Sequence, residues 1–293
     1  MDFHGYPVNR LENQYFYVDY LTQAGPRLVR LGVAGSGDNL LAELPRNTME
    51  TPYGEYRFYG GHRLWHAPEA MPRSYLPDDH GLSVQLIPGG VRLLQPVEAG
   101  SGIRKTMELH LAGDAPRLVI HHTLTNEGLW PIQCAPWAIT QLKLGGVAII
   151  PQQQGVPTPQ LLPDRRLTIW NYTRLQDARL HLADDAFLID GAPSLPPCKI
   201  GTLNPRGWVA YLVGETLLIK RFDHQPQAAH VDFGCDTEVY CNDQFIEVET
   251  LGALVTLQPG ESTTHTETWE LHTGLKAAPT LDGVRAMIQA LSL

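Results

Sequence analysis

The chain consists largely of short stretches in which apolar and polar residues alternate. The clearest is Ile103–Leu111, whose odd-numbered positions are apolar except for Lys105. Alternation with a period of two is the pattern of a β-strand that is buried on one side. About eighteen such stretches, with turn residues every 8–12 positions, are typical of an all-β fold. The sequence therefore predicts a large antiparallel sandwich or barrel, and a doubly wound α/β fold would need helices between the strands.

Only the C-terminal segment has a helical pattern. Apolar residues recur there at three- and four-residue spacing, at Leu281, Val284, Met287, Ile288 and Leu291. This spacing predicts a helix over 279–292, with Thr280 or Asp282 as its N-cap.

Two stretches lack regular apolar periodicity and are predicted to be loops. The first runs through Pro45, Pro52 and Gly54, and the second covers 152–165, which is rich in proline and glutamine. Proline and glycine interrupt strands, and long loops in compact domains often serve a function.

Composition and charge narrow the class of protein. The 27 glycines and 23 prolines favour turns over long helices. A net charge of −9 argues against nucleic acid or an anionic membrane as a partner. No window approaches about 18 consecutive apolar residues and the N-terminus has no apolar signal region, so we expect a cytoplasmic location. The four cysteines have no zinc-binding spacing and no phosphate-cradling glycine motif occurs, so neither a metal nor a cofactor is predicted.

Residues 59–69 (YGGHRLWHAPE) contain the densest group of side chains suited to ligand recognition. His62 and His66 can titrate near neutral pH. Arg63 offers a planar fork of donors, and Trp65 offers a flat apolar face. The set suits a small polar molecule with apolar patches, such as a sugar; the alternative is a strand end whose polar groups bond to neighbouring backbone. The histidines have HxxxH spacing, but the glycines and proline here disfavour the helix that such metal sites use.

Residues 245–250 (FIEVET) provide the second candidate site. On a strand, Phe245, Glu247 and Glu249 point to one face, and the two carboxylates lie about 7 Å apart. On a concave and partly dry face, desolvation and charge repulsion would raise at least one pKa towards neutral, which suits a general base. The alternative is an exposed face on which both carboxylates are solvated.

Two further residues are candidates for substrate binding. Trp137 suits a sugar-stacking platform, although tryptophan is more often used for core packing. Lys220 shares a strand face with Leu218 and Phe222 and is expected to reach inward, unless it extends to water at the strand end.

Three segments carry a resemblance to a known family. They are GGHRLWHAPE at 60–69, GWVAYLVGETLLIKRF at 207–222, and the ending NDQFIEVETLG followed by LQPGESTTHTETWEL. They resemble an uncharacterised bacterial family of the galactose-mutarotase-like superfamily, which includes aldose 1-epimerases and hexose-6-phosphate mutarotases. The resemblance covers roughly residues 10–273. It implies a single domain over 1–293: a β-supersandwich with its core at 10–273 and a sugar on its concave face.

The resemblance also implies roles for residues. In epimerases of this superfamily, a glutamate in a strand ending Glu-Thr is the general base, and a histidine protonates the ring oxygen. Glu249 precedes Thr250 and matches that base, with Glu247 as the alternative on the same face. Aligning TNEGLWPIQCAPW on the epimerase pattern places Trp137 at the position of the histidine.

Three functions follow as expectations. The first is an epimerase-like isomerase of a small sugar, with Glu249 as base, His62 or His66 as acid, and Arg63 holding a hydroxyl or anionic group. The second is a sugar-binding pseudoenzyme or sensor without turnover, which Trp137 favours. The third is a polysaccharide lyase or glycoside hydrolase. The sequence leaves the sugar and the oligomeric state open.

Overall fold

The computed structural model describes residues 1–153 and 164–293, and antiparallel β-strands dominate them. Strands are numbered in chain order. Sheet I contains, in spatial order, β1 (Asp2–Phe3), β2 (Tyr6–Glu12), β3 (Phe16–Leu21), β4 (Arg27–Val33), β7 (His62–Ala67), β12 (Ile132–Leu142), β21 (Ile246–Leu251), β20 (Thr237–Cys241), β17 (Cys198–Thr202) and β14 (Thr168–Ile169), with β22 (Val255–Leu257) paired to β12. Sheet II contains β15 (Leu180–Leu182), β16 (Ala186–Asp190), β13 (Val147–Pro151), β18 (Trp208–Val213), β19 (Thr216–Phe222), β23 (Ser262–His272), β11 (Arg117–Asn126), β10 (Ile103–Leu111), β9 (Gly90–Leu94) and β8 (Ser83–Ile87). A separate hairpin consists of β5 (Glu43–Thr51) and β6 (Gly54–Gly60).

The main hydrophobic core lies between the two sheets. Leu64 and Val248 of sheet I pack there in one cluster with Met107, Ile120 and Trp269 of sheet II. Each strand therefore directs alternate residues inward and outward, as expected for two sheets packed face to face. The predicted all-β sandwich is confirmed.

The predicted C-terminal helix is also confirmed, as α1 (Leu281–Leu291). The hydroxyl of Thr280 caps it by accepting from the backbone N–H of Gly283 at 3.3 Å. Val284 and Met287 are buried against the outer face of sheet II, and burying such side chains contributes about 1.5–3 kcal/mol each. A 3-10 turn lies at Arg73–Tyr75. Within residues 1–153 and 164–293, no helix has the length and apolarity that crossing a membrane requires.

The structure corrects one predicted loop. The segment through Pro45, Pro52 and Gly54 forms the β5–β6 hairpin, with Pro45 inside β5. The strand register shifts between Leu44 and Thr48, so Pro45 occupies an irregular stretch where no ladder bond is required. The other predicted loop, 152–165, falls mainly on 154–163, outside the described residues.

Two glycines place β7 against its neighbours. Gly60 and Gly61 have φ of 89° and 70°, the left-handed region that favours glycine. A Cβ at Gly61 would lie 1.9 Å from the carbonyl oxygen of Leu28, and one at Gly60 would lie 2.1 Å from that of Ala42. The glycines therefore permit close approach of neighbouring backbone, which holds the start of β7 in sheet I.

Candidate active site

Strand β7 carries four of the predicted site residues, and its pleat divides them into two pairs. Arg63 and Trp65 point to the outer face of sheet I, where they line a pocket. His62 and His66 point the other way and bond to residues of the inter-sheet space. Adjacent residues of a strand cannot share a face, so the expectation that His62 or His66 acts as the acid in one site with Arg63 is wrong.

The pocket has a volume of about 430 Å³, within the usual range for small-molecule sites. Strands β12 and β21 form its floor, where Gln141 is the register partner of Glu247. Phe245 and Glu247 both line it, as the alternation of residues 245–250 predicts. Its aromatic lining consists of Phe58, Trp65, Tyr75, Trp137, Tyr172, Tyr240 and Phe245.

Trp65 and Trp137 form the aromatic centre of the pocket. Their ring centroids are 5.5 Å apart in an edge-to-face arrangement. The indole N–H of Trp65 donates to the hydroxyl of Tyr56 at 3.0 Å, and that of Trp137 donates to Glu249 Oε2 at 2.7 Å. Both rings are held from the protein side, so their orientation is fixed before a ligand arrives.

Glu247 is one of the two carboxylates that line this pocket, with Glu69 the other. Its Oε1 accepts from Arg63 Nη2 at 3.1 Å and from Gln141 Nε2 at 2.9 Å. Burial raises the pKa of Glu247 to about 7; the charge of Arg63 opposes this rise and that of Glu249 adds to it. Near pH 7 the carboxyl therefore exchanges readily between its two protonation states, which suits a general acid or base.

Part of the Arg63 guanidinium has no hydrogen-bond partner among the described residues. Its guanidinium carbon lies 4.3 Å from the ring centroid of Trp65, and Nη2 bonds to Glu247. Its Nε and Nη1 are buried without a hydrogen-bond partner among the described residues. Both nitrogens are covered from solvent, so a ligand oxygen can reach them only after a neighbouring side chain moves.

Glu249 shares the outer face of β21 with Glu247, but it is fully buried beside Trp137 and Lys199. Its Oε2 accepts from Trp137 Nε1 at 2.7 Å and from Lys199 Nζ at 3.0 Å. Lys199 Nζ also lies 2.7 Å from Glu238. Burial acts to lower the pKa of Lys199, but the charges of Glu238 and Glu249 outweigh it and hold this pKa well above its usual value. Lys199 is thus a permanent cation beside Glu249.

Lys199 is a pocket residue that the sequence analysis did not find. It lies in β17, two strands away from β21 in sheet I and 50 residues before Glu249 in the chain. Its flanking residues, Cys198 and Ile200, are buried in the inter-sheet core. A lysine between two core residues must point to the opposite, outer face of the sheet, and this alternation is the local sequence feature that indicates its position.

Lys220 lies between the sheets and does not reach the pocket. Its ammonium is 3.0 Å from Glu267 Oε1 and donates to the backbone carbonyl of Val248 at 2.8 Å. Burial lowers the pKa of Lys220, with the charge of Glu267 opposing that effect. Lys220 does point inward, as predicted, but it points into the core between the sheets. This position is not compatible with a role in substrate binding at the pocket.

His62 belongs to the same inter-sheet network. His122 Nδ1 lies 3.1 Å from the carbonyl oxygen of His265, which can only accept, so the proton of His122 is on Nδ1. His62 Nε2 therefore donates to His122 Nε2 at 2.7 Å, and His62 Nδ1 accepts from the hydroxyl of Thr140 at 2.9 Å. Burial lowers the pKa of both rings, that of His122 to about 4, so both are neutral at pH 7.

His66 is enclosed in a second inter-sheet cluster. Its Nε2 lies 3.1 Å from Glu98 Oε2, and Lys105 Nζ lies 2.5 Å from the other oxygen of Glu98. Burial lowers the pKa of His66, with its hydrogen bond to Glu98 opposing that effect. His66 is thus buried and separated from the pocket by the thickness of the sheet.

One potential metal-ligand group forms within the described part of the chain. Single ligand atoms of His62, His122 and Glu267 lie within 4.8 Å of one another. The hydrogen bond between the two Nε2 atoms uses the lone pair of His122, and the ammonium of Lys220 supplies the positive charge beside Glu267. The protein's own groups therefore satisfy this network.

The fold has well-defined counterparts among solved structures. A galactose mutarotase-like protein from Lactobacillus casei is 11% identical, with 91% of this chain and all of that one covered and a TM-score of 0.58. A provisionally assigned aldose 1-epimerase from Klebsiella pneumoniae is 12% identical, covering 98% of this chain and 83% of that one, with a TM-score of 0.61. Another from Escherichia coli K12 is 14% identical, covering 92% and 100%, with a TM-score of 0.55. No protein-family model and no curated sequence matches the chain. The chain therefore has the galactose mutarotase-like fold.

Proposed function

We propose that the pocket on the outer face of sheet I binds a small sugar and that Glu247 transfers a proton at its anomeric centre. The observation that carries this proposal is Glu247 itself. It is a pocket-lining carboxylate whose pKa, raised by burial to about 7, matches the pH at which it would act. A general base is most effective when its pKa lies near the working pH.

The pocket offers the two kinds of contact that a sugar requires. The faces of a sugar ring carry C–H groups that pack on aromatic rings, and Trp65 and Trp137 provide such rings. Sugar hydroxyls need hydrogen-bond partners, and the side-chain amides of Asn47 and Gln244 in the pocket lining provide them. Proteins related in fold are described as mutarotase-like or as provisional aldose 1-epimerases, which agrees with a sugar as ligand.

The chemistry is ring opening and closure. A base removes the proton from the anomeric hydroxyl, the bond between the anomeric carbon and the ring oxygen breaks, and the ring oxygen gains a proton. Glu247 Oε1 is held by Arg63 and Gln141, and Oε2 has no hydrogen bond among the described residues. We assign Oε2 as the proton acceptor. The pocket hydroxyls of Tyr172 and Tyr240 are the neutral donors available to the ring oxygen.

Glu249 has a supporting role in this proposal. The resemblance implies Glu249 as the base, but its side chain is fully buried and does not line the pocket, and its Oε2 contacts Trp137 and Lys199. Glu249 would thereby fix the ring of Trp137 and the ammonium of Lys199.

The test is the rate of anomer interconversion, measured by NMR exchange on glucose and galactose. We expect Glu247→Gln to lower the rate by about 10²–10⁴-fold, the usual contribution of a general acid or base. Glu270→Gln is the matched control, because Glu270 is a partly exposed carboxylate paired with Arg221 on sheet II. Full turnover in Glu247→Gln would contradict the assignment of the base.

A second candidate is sugar binding without turnover. It is favoured by Trp137, which stands where the epimerase pattern has a histidine, and by the absence of histidine from the described lining of the pocket. Calorimetry that detects sugar binding, together with NMR that detects no anomer exchange by the wild type, would support this candidate over the first.

A further inference from the structure

We propose that the sugar site continues past Lys199 into a second subsite, so that the preferred ligand is a disaccharide. This inference rests on the proposed function, because it assumes that the first pocket holds a sugar. It goes further by naming the size of the ligand and the residues that contact its second unit.

A second cavity of about 320 Å³ adjoins the first pocket. Three residues line both: Glu69, Trp137 and Lys199. Trp170 and Asp232 line the second cavity alone. Because three residues line both spaces, the two cavities adjoin, and a ligand in the first pocket that extends past Lys199 would enter the second.

The second cavity repeats the recognition chemistry of the first. The first combines the rings of Trp65 and Trp137 with the carboxylate of Glu247, and the second combines Trp137 and Trp170 with Asp232. Aromatic rings pack on apolar sugar faces, and carboxylate oxygens accept hydrogen bonds from hydroxyls. Two similar compartments in series fit two linked sugar units.

Lys199 holds the two indoles in position between the compartments. Its ammonium lies 4.8 Å from the ring centroid of Trp137 and 4.7 Å from that of Trp170. Its ion pairs with Glu238 and Glu249 fix the ammonium from below. Cation–π contacts of this kind stabilise a ring position, so Trp170 is ordered before any ligand is bound.

Asp232 is presented to the cavity by a constrained turn. Its φ of 49° lies in the left-handed region. Its carbonyl oxygen accepts from the thiol of Cys235 at 3.1 Å and from the hydroxyl of Thr168 at 3.3 Å. Strained backbone persists only where surrounding contacts enforce it, and it is concentrated at functional sites. Burial raises the pKa of the Asp232 carboxyl. Asn tolerates the same left-handed backbone but has one acceptor oxygen in place of two, so Asp232→Asn tests the carboxylate without disturbing the turn.

The experiment compares affinities by calorimetry on the full chain. The probes are glucose and galactose, and the disaccharides maltose, cellobiose and lactose that contain them. We expect at least one disaccharide to bind wild type about tenfold more tightly than its component monosaccharides. Trp170→Ala and Asp232→Asn should each remove most of that advantage and leave the Kd of the monosaccharide unchanged. Glu270→Gln, on the other sheet, should change neither.

Three results would overturn the proposal, and they separate its failure from that of the proposed function. If monosaccharides bind and no disaccharide binds more tightly, the subsite is refuted while the sugar site remains. If Asp232→Asn and Trp170→Ala weaken both sizes of ligand equally, the residues do not form a separate subsite. If no sugar of either size binds, the proposed function itself fails.

Discussion

The raised pKa of Glu247 predicts how the stability of this protein depends on pH. In the folded state its pKa is about 7, against an ordinary value of 4.5. The folded chain therefore binds this proton more tightly than the unfolded chain. The contribution of Glu247 to the free energy of unfolding is therefore largest below pH 4.5, decreases as the pH rises towards about 7, and is constant above that.

The size of the effect follows from the two pKa values. At about 1.36 kcal/mol per pH unit, the interval from 4.5 to about 7 corresponds to a loss of about 3 kcal/mol. Glu247→Gln removes the titrating group and keeps an amide oxygen for Arg63 and Gln141. The variant should therefore lack this decrease, although other groups of the protein still titrate in both proteins.

The assay is urea unfolding at several pH values between 5 and 8, for wild type, Glu247→Gln and the control Glu270→Gln. We expect the difference in the free energy of unfolding between wild type and Glu247→Gln to change by about 2–3 kcal/mol over this range, in favour of the variant at higher pH. Burial acts to raise the pKa of Glu270, but its hydrogen bond to Arg221 opposes that effect, and the pKa of Glu270 is lowered. The control Glu270→Gln should therefore show no such trend. Parallel curves for wild type and Glu247→Gln would refute the raised pKa and remove the main support for a base at this position.

Three other predictions test the framework around the site. Lys220→Met should lower the free energy of unfolding by about 3–5 kcal/mol, because it leaves the buried carboxylate of Glu267 unpaired. Adding Glu267→Gln should restore the lost stability, and a single variant as stable as wild type would contradict the prediction. Gly35→Ala, with φ of 74° and open space around its Cβ, should lower the free energy of unfolding by only the about 1–2 kcal/mol that a left-handed backbone costs. Gly61→Ala should lower it by more, because its Cβ would also meet the Leu28 carbonyl. Equal melting temperatures of the two variants would contradict the clash. EDTA should leave the Tm unchanged, and a fall that zinc reverses would show that a bound metal ion stabilises the fold.

The sequence was informative wherever a local period decides the outcome. Alternation in Ile103–Leu111 places Lys105 among inward-facing residues, and the structure has it there. The same rule places Glu247 and Phe245 on one face of the sheet. The helical spacing near the C-terminus fixes α1, because an amphipathic helix must bury its apolar stripe against another element.

Sequence could not decide which face of sheet I forms the pocket. The pleat separates Arg63 from His62, but only the packing of sheet II shows that His62 lies on the covered side, where it meets His122, 60 residues away. Lys220 was likewise expected near a ligand, although its partner, Glu267, lies on the neighbouring strand of sheet II.

The chemical difference between the two glutamates also depends on tertiary contacts. Their spacing predicts that at least one pKa rises, and residues distant in the chain determine which one can act. Lys199 and Trp137 occupy Glu249, while Glu247 lines the pocket. The sequence by itself determined the all-β class, the C-terminal helix and the side chains that share a face, because these follow from short-range periodicity. The tertiary structure alone decided which face is open and which carboxylate is free, because burial and ion pairing depend on strands brought together from across the chain.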